Sequence, residues 1–191
     1  MVPDIHNPFF NGVVRGVVEG VGSVHFDNGD AIRKAIRHLR AMGHERIGYC
    51  GGPESSRSAW ERLEEFKQLL GSECEGEYLG AFSPTFEGGQ QATDVALNKD
   101  VTAVVTYNDL MAVGFIKRMN TYGLTVPGRL SIVGIDDIPV AEIVTPGLTT
   151  VSLPRIEAGK AAVELLMSGR TEVLDLPTNL IVRSSTSRRE A

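Results

Sequence analysis

The segment SIVGIDDIPV, residues 131–140, is an apolar run that ends on two carboxylates, Asp136 and Asp137. A strand built for burial that closes on acids presents acceptors at its tip, suited to the hydroxyls or ring nitrogens of a ligand. Three other residues offer matching chemistry. Asn108 in TYNDL can both donate and accept, and Phe82 in GAFSP can supply an apolar wall for a sugar face or a flat base. Arg62 reads as a first-turn helix residue, where a cation opposes the macrodipole, so local helix stability does not account for it. Each also has a plainer reading: Asp137 capping the next turn, Asn108 capping a helix, Arg62 as a solvated surface cation. Convergence on one rim is what favours a binding site.

Catalytic signatures are scarce. The chain has no G-x-S-x-G elbow, no P-loop and no H-E-x-x-H, and GYCGGPESS does not match G-x-G-x-x-G. His38 and His44 are six apart, which does not place them on one helix face as metal ligands. Adjacent aspartates do not converge on one substrate as an acid/base pair. The expectation is a binding module and not an enzyme, with no metal and no cofactor.

These residues need elements to position them, and the chain supplies a repeating pattern from residue 47 onward. RIGYC leads through GGPESS to SAWERLEEFKQLLG; YLGAF leads to SPTFEGGQQATDVALN; VTAVVT leads to YNDLMAVGFIKRMNTYG. Short β-rich runs alternating with helical stripes predict an α/β fold with a parallel sheet. Ser58 and Glu61 have capping-box spacing, Pro84 suits a first helical position, and Gly43, Gly71 and Gly123 follow helical stripes where left-handed caps belong. Ala31, Ile32, Ala35, Ile36 and Leu39 mark a helix ahead of RIGYC, RIEAGKAAVELLMSGR reads as a late helix, and LPTNLIVRSS as a last strand. NPFFNGVVRGVVEG reads as a helix with Val13, Val14, Val17 and Val18 on one side. In an open parallel sheet ligands bind beyond the carboxyl ends of the strands. That rule shortlists Gly51 and Gly52, then Phe82, then Thr106, Tyr107 and Asn108, then Asp136 and Asp137.

Composition narrows the function classes. With 191 residues, 42% hydrophobic and 23% charged, the chain suits one sizeable domain or two small lobes. A net charge of −5 with scattered basic residues lacks the footprint of a nucleic-acid binder. Cys50 and Cys74 have no C-x-x-C spacing and fit idle thiols in a reduced compartment. No apolar run approaches the ~18 residues that span a bilayer, and MVPDIHNPFF lacks the pattern of a signal peptide. The expected location is the cytoplasm.

Together VPDIHNPFF, HFDNGDAIRKAIRHLRAMGHERIGYCGGP, SAWERLEEF, VTAVVTYNDLMAVG, VPGRLSIVGIDDIP and TPGLTTVSLP resemble the effector-binding region of the lactose/galactose-repressor family of bacterial transcription regulators. The resemblance implies a fold like the periplasmic sugar-binding proteins, with parallel sheets flanked by helices in two lobes and a sugar or related metabolite held between them. It also implies a homodimer that reaches operator DNA only through a head domain this chain does not carry. It places Phe9 and Phe10 at the effector, with core or dimer contact as their alternative, and Asp27 near the lobe crossing. Arg62, Phe82, Asn108 and Asp136 match its effector-contacting positions. Between VVRGVVEG and VGSVHFDNG the family has further βα units that are missing here, through deletion, trimming or omission. The expected lobes are therefore an incomplete N-terminal one, residues 1–44 with 152–169, and a C-terminal one, residues 45–151 with 170–191. A transporter's solute-binding protein would share the fold and is the alternative function; it should carry a secretory leader.

Overall fold

The computed structural model describes residues 22–189, so Phe9, Phe10 and the helix expected over residues 7–20 lie outside the described residues. The chain divides into two compact units, residues 1–27 with 154–177 and residues 28–153 with 178–191.

The larger unit is built on a six-stranded sheet. Its strands are β2 (Arg46–Gly51), β3 (Glu75–Ala81), β4 (Ala103–Thr106), β5 (Ser131–Asp136), β6 (Thr149–Ser152) and β8 (Asn179–Ile181). The order is β3-β2-β4-β5-β6-β8, with every pairing parallel except that of β8 to β6. β2, β4 and β5 are buried along nearly their whole length, which is why they read as unbroken apolar runs and not as alternating ones. The helices are α1 (Asn28–Ala41), α2 (Arg57–Leu69), α3 (Phe86–Ala96), α4 (Asp109–Thr121) and the short α5 (Val140–Ile143). α1 packs on α2 and on β4, β5 and β6, whereas α3 and α4 pack on each other. Ala92, Ala96, Met111, Ala112, Phe115, Ile116 and Met119 from α3 and α4 share a core with Val104 and Ile132 of the sheet.

The stripe Ala31, Ile32, Ala35, Ile36 and Leu39 is wholly buried, each of the larger side chains stabilising the fold by about 1.5–3 kcal/mol relative to exposure. Because that stripe faces the six-stranded sheet, α1 belongs to the larger unit. The expected lobe boundary near residue 44 is displaced to residue 27/28.

The smaller unit contains β1 (Ser23–Phe26), α6 (Arg155–Ser168) and β7 (Val173–Leu176). β1 and β7 form a parallel two-stranded sheet, Ser23 opposite Val173 and Phe26 opposite Leu176. β7 has no counterpart among the expected strands, and its pairing moves residues 170–177 out of the C-terminal lobe to which the sequence pattern assigned them. Its exposed and half-exposed side chains carry no strong apolar alternation to announce it.

Two helix starts differ from expectation. Ser56, not Ser58, caps α2, accepting from the Ala59 N–H at 3.3 Å. Thr85 caps α3 through its hydroxyl to the Gly88 N–H at 3.2 Å, which leaves Pro84 outside that helix. In both cases a hydroxyl with extended backbone outcompetes the alternative because it satisfies an N–H of the first turn. Gly43, Gly71 and Gly123 have φ of 87°, 77° and 69°, the left-handed geometry that a side chain resists.

Candidate functional site

Strand order reverses between β2 and β4: the chain leaves β2 for β3 on one side and returns to β4 on the other. Loops at the carboxyl ends of two such strands diverge to opposite faces and leave a crevice. Gly51 and Gly52 stand at one lip and Tyr107 and Asn108 at the other. Gly52 is needed there, since a Cβ would overlap the Tyr107 ring.

Arg62 lies in the second turn of α2, because the helix begins after Ser56. The macrodipole therefore says little about it, and so does the surface-cation alternative: the residue is 4% exposed. Its Nε donates to Asn28 Oδ1 at 2.8 Å and its Nη1 to the Tyr107 carbonyl at 2.5 Å, while the guanidinium carbon sits 4.9 Å from the Tyr107 ring centroid. Among the described residues it forms no ion pair. Asn28, itself 7% exposed, turns its Nδ2 to Glu61 Oε2 at 2.8 Å, and Glu61 pairs with Arg57 at 2.6 Å. The Tyr107 hydroxyl lies 3.2 Å from Ser56 Oγ. The cation is thus held from α1 and from the residue that follows β4, by neutral groups.

Asn108 is the N-cap of α4, the plainer of its two readings: Oδ1 accepts from the Met111 N–H at 3.0 Å and Nδ2 donates to the Pro84 carbonyl at 3.1 Å. An amide has a second N–H and a second lone pair, so capping does not exhaust it. The Pro84 bond ties the end of β4 to the loop after β3. That loop begins at Phe82, half-buried against the core, with its N–H on the Gly51 carbonyl at 3.0 Å.

Asp136 closes β5 with φ of 122°, and Asp137 follows at 52°. The second value is tolerable for an aspartate, but the first is glycine territory and costs about 1–3 kcal/mol. The Asp137 carboxylate pairs with Arg183 Nη2 at 2.8 Å, and α5 begins without a side-chain cap.

The structure therefore sets Arg62, Phe82, Asn108 and Asp136 on one end of one sheet, with the first three joined through Tyr107, Pro84 and Gly51. Asp27 closes the smaller unit after β1, its N–H on the Leu176 carbonyl at 3.1 Å. Four residues were passed over in the sequence. Asn28 stands beside the singled-out Asp27, and its place before the Ala31/Ile32 stripe is a helix-start signal. Tyr107 was shortlisted without a role, although an aromatic opposite a Gly-Gly lip is a stacking signal. Arg183 carries no local signal at all. Asp109 is fully buried, and burial raises its carboxyl above the ordinary range while bonds from Thr150 and Ile138 pull it down.

His44 and His38 lie at the opposite end of the sheet. His44, 4% exposed, bonds Thr102 Oγ1 at 3.0 Å, Ser131 Oγ at 2.9 Å and the Ser187 carbonyl at 3.1 Å; His38 bonds Thr186 Oγ1 at 2.9 Å. Burial lowers the pKa of both imidazoles. Cys50 and Cys74 are buried free thiols, each raised by desolvation.

A family model described as a periplasmic binding protein-like domain matches residues 36–186. The HTH-type transcriptional repressor CytR of Escherichia coli (strain K12) is 37% identical over 150 residues, 76% of this chain and 44% of that protein. The chain spans about half the length of the curated relatives it matches. Among solved structures, a LacI family transcriptional regulator from Mycobacterium smegmatis is similar with a TM-score of 0.81 at 30% identity, over 93% of this chain and 75% of that one. Another, from Enterococcus faecium with bound ribose, has a TM-score of 0.79 at 27% identity, over 88% of this chain and 66% of that one. No helix among the described residues is long and apolar enough to cross a membrane. A parallel sheet of this order, a polar rim at its switch point and a family match over most of the sequence lead to one assignment: the chain belongs to the periplasmic binding protein-like domain family, within the LacI family of transcriptional regulators.

Proposed function

We propose that the rim formed by Arg62, Phe82, Asn108 and Asp136 takes a small polyhydroxylated effector, a sugar or a related metabolite, in the sensing part of a cytoplasmic transcription regulator. The observation that carries this reading is Arg62. A guanidinium buried to 4% exposure and answered, among the described residues, by an amide oxygen, a carbonyl and an aromatic face is short of charged acceptors there. Vicinal hydroxyls present lone pairs to its fork, while Asp136 accepts hydroxyl protons and Phe82 covers the apolar face of a sugar ring. The ribose bound to the Enterococcus faecium regulator supports the ligand class.

The effector acts through unequal affinity for two arrangements of a homodimer, which a DNA-binding domain outside this chain reads. The net charge of −5 agrees with that division of labour. The relatives named above are transcription regulators, which favours this over a transporter's solute-binding protein, and the chain performs no catalysis. A thermal-shift panel of ribose, cellobiose and nucleosides tests the reading. A ligand at about 100 times its Kd adds about 2.7 kcal/mol, so at least one should raise Tm by several degrees. Arg62→Ala and Asp136→Ala should abolish that rise; a rise that survives both variants places the site elsewhere.

A further inference from the structure

Asp109, the first residue of α4, is 0% exposed. A carboxylate at that depth persists only when its oxygens are hydrogen-bonded, and both are. Oδ1 accepts from Thr150 Oγ1 of β6 at 2.5 Å, and Oδ2 accepts from the Ile138 N–H at 2.9 Å. The same Thr150 oxygen lies 3.4 Å from the Asp137 N–H. Gly134 in β5 leaves the space open, because a Cβ there would collide with Oδ1. Helix capping does not call for this acid, since Asn108 already caps α4. The macrodipole favours an acid in a first turn, yet an exposed one would serve equally well. What distinguishes Asp109 is its grip on the two residues that follow Asp136. Backbone strain like that of Asp136 survives only where the surroundings over-determine it, and the Asp109–Thr150 pair is such a constraint.

We propose that Asp109 is a positioning residue: from beneath the rim its carboxylate locks the turn after β5 in its positive-φ form and so fixes where the Asp136 carboxylate stands relative to Asn108, Asp109's own neighbour in sequence. The proposal rests on the rim being the effector site, and Asp109 itself does not touch the effector. One buried group thereby governs two ligand-facing residues, Asn108 through the covalent chain and Asp136 through hydrogen bonds to the residues that follow it.

The test uses the full chain and two readouts. Asp109→Asn keeps the shape but loses the charge and one acceptor. Amide hydrogen exchange at Asp137 and Ile138 should quicken at least tenfold, with the amides of Val104 and Val133 unchanged, and ribose affinity measured by calorimetry should fall at least tenfold. Placed in an Asp136→Asn background, Asp109→Asn should change ribose affinity less than twofold, because its effect runs through Asp136. Should Asp109→Asn fail to fold, Thr150→Val should reproduce the faster exchange and Thr150→Ser should not. Unchanged exchange at residues 137 and 138, or affinity losses that multiply in the double variant, would overturn the proposal. If ribose does not bind the unaltered chain, ribose falls as the effector, and the exchange readout still decides Asp109 without a ligand.

Discussion

Replacing Asn28 by alanine strikes the Arg62 network at its least redundant point. The bonds lost include Arg62 Nε to Asn28 Oδ1 and Asn28 Nδ2 to Glu61 Oε2, each at 2.8 Å. The first leaves a donor of a 4% exposed guanidinium without its partner, and bonds to charged groups are worth about 1.5–3 kcal/mol. The second involves a carboxylate with a quarter of its side chain exposed, so water replaces part of it and about 0.5–1 kcal/mol is lost. The expected cost is therefore about 2–4 kcal/mol. Urea unfolding followed by the fluorescence of Trp60, the sole tryptophan, reads the larger unit; in a thermal melt, at ~2–4 °C per kcal/mol, the melting temperature should fall by about 4–16 °C. Ribose affinity should fall with it, because the guanidinium loses its orientation. A variant within about 0.5 kcal/mol of the unaltered chain, the range of an ordinary surface substitution, would refute the claim that Asn28 holds Arg62.

Three further outcomes follow from the same geometry. Asp136→Gly relieves the backbone strain at φ of 122° while removing the carboxylate, and should abolish any sugar-induced rise in Tm; a rise that persists would contradict the role of Asp136. Gly52→Ala drives a methyl into the Tyr107 ring and, through it, disturbs the Arg62 stack, so the urea midpoint should fall by an amount corresponding to about 1–3 kcal/mol. Burial lowers the pKa of His44 and His38 in the folded state, so the unfolded chain takes up protons first as pH falls below about 6.5. Stability should be full above that value and decline below it, and His44→Gln should flatten the decline measured by urea unfolding between pH 7.5 and 5.

The sequence by itself determined the α/β class, the parallel strands β2, β4 and β5, the buried stripe of α1 and the left-handed glycines at 43, 71 and 123. These are local properties: periodicity, apolar runs and caps are written within one or two turns of chain, and the carboxyl-end rule converts strand ends into a rim without any coordinates. Phe82, Asn108 and Asp136 were nameable for that reason, whereas Arg62 was singled out by a first-turn position that the helix start after Ser56 moved to the second turn. Only the tertiary structure decided how the rim is held. Asn28 meets Arg62 across 34 positions, Arg62 meets the Tyr107 carbonyl across 45, and Asp109 meets Thr150 across 41; no local pattern encodes which distant donor will face a given acceptor once the strands are ordered. The same reason moved the unit boundary to residue 27/28, since α1 joins whichever sheet its buried stripe covers, and it left β7 unannounced, since a half-exposed strand becomes one only by finding β1 beside it.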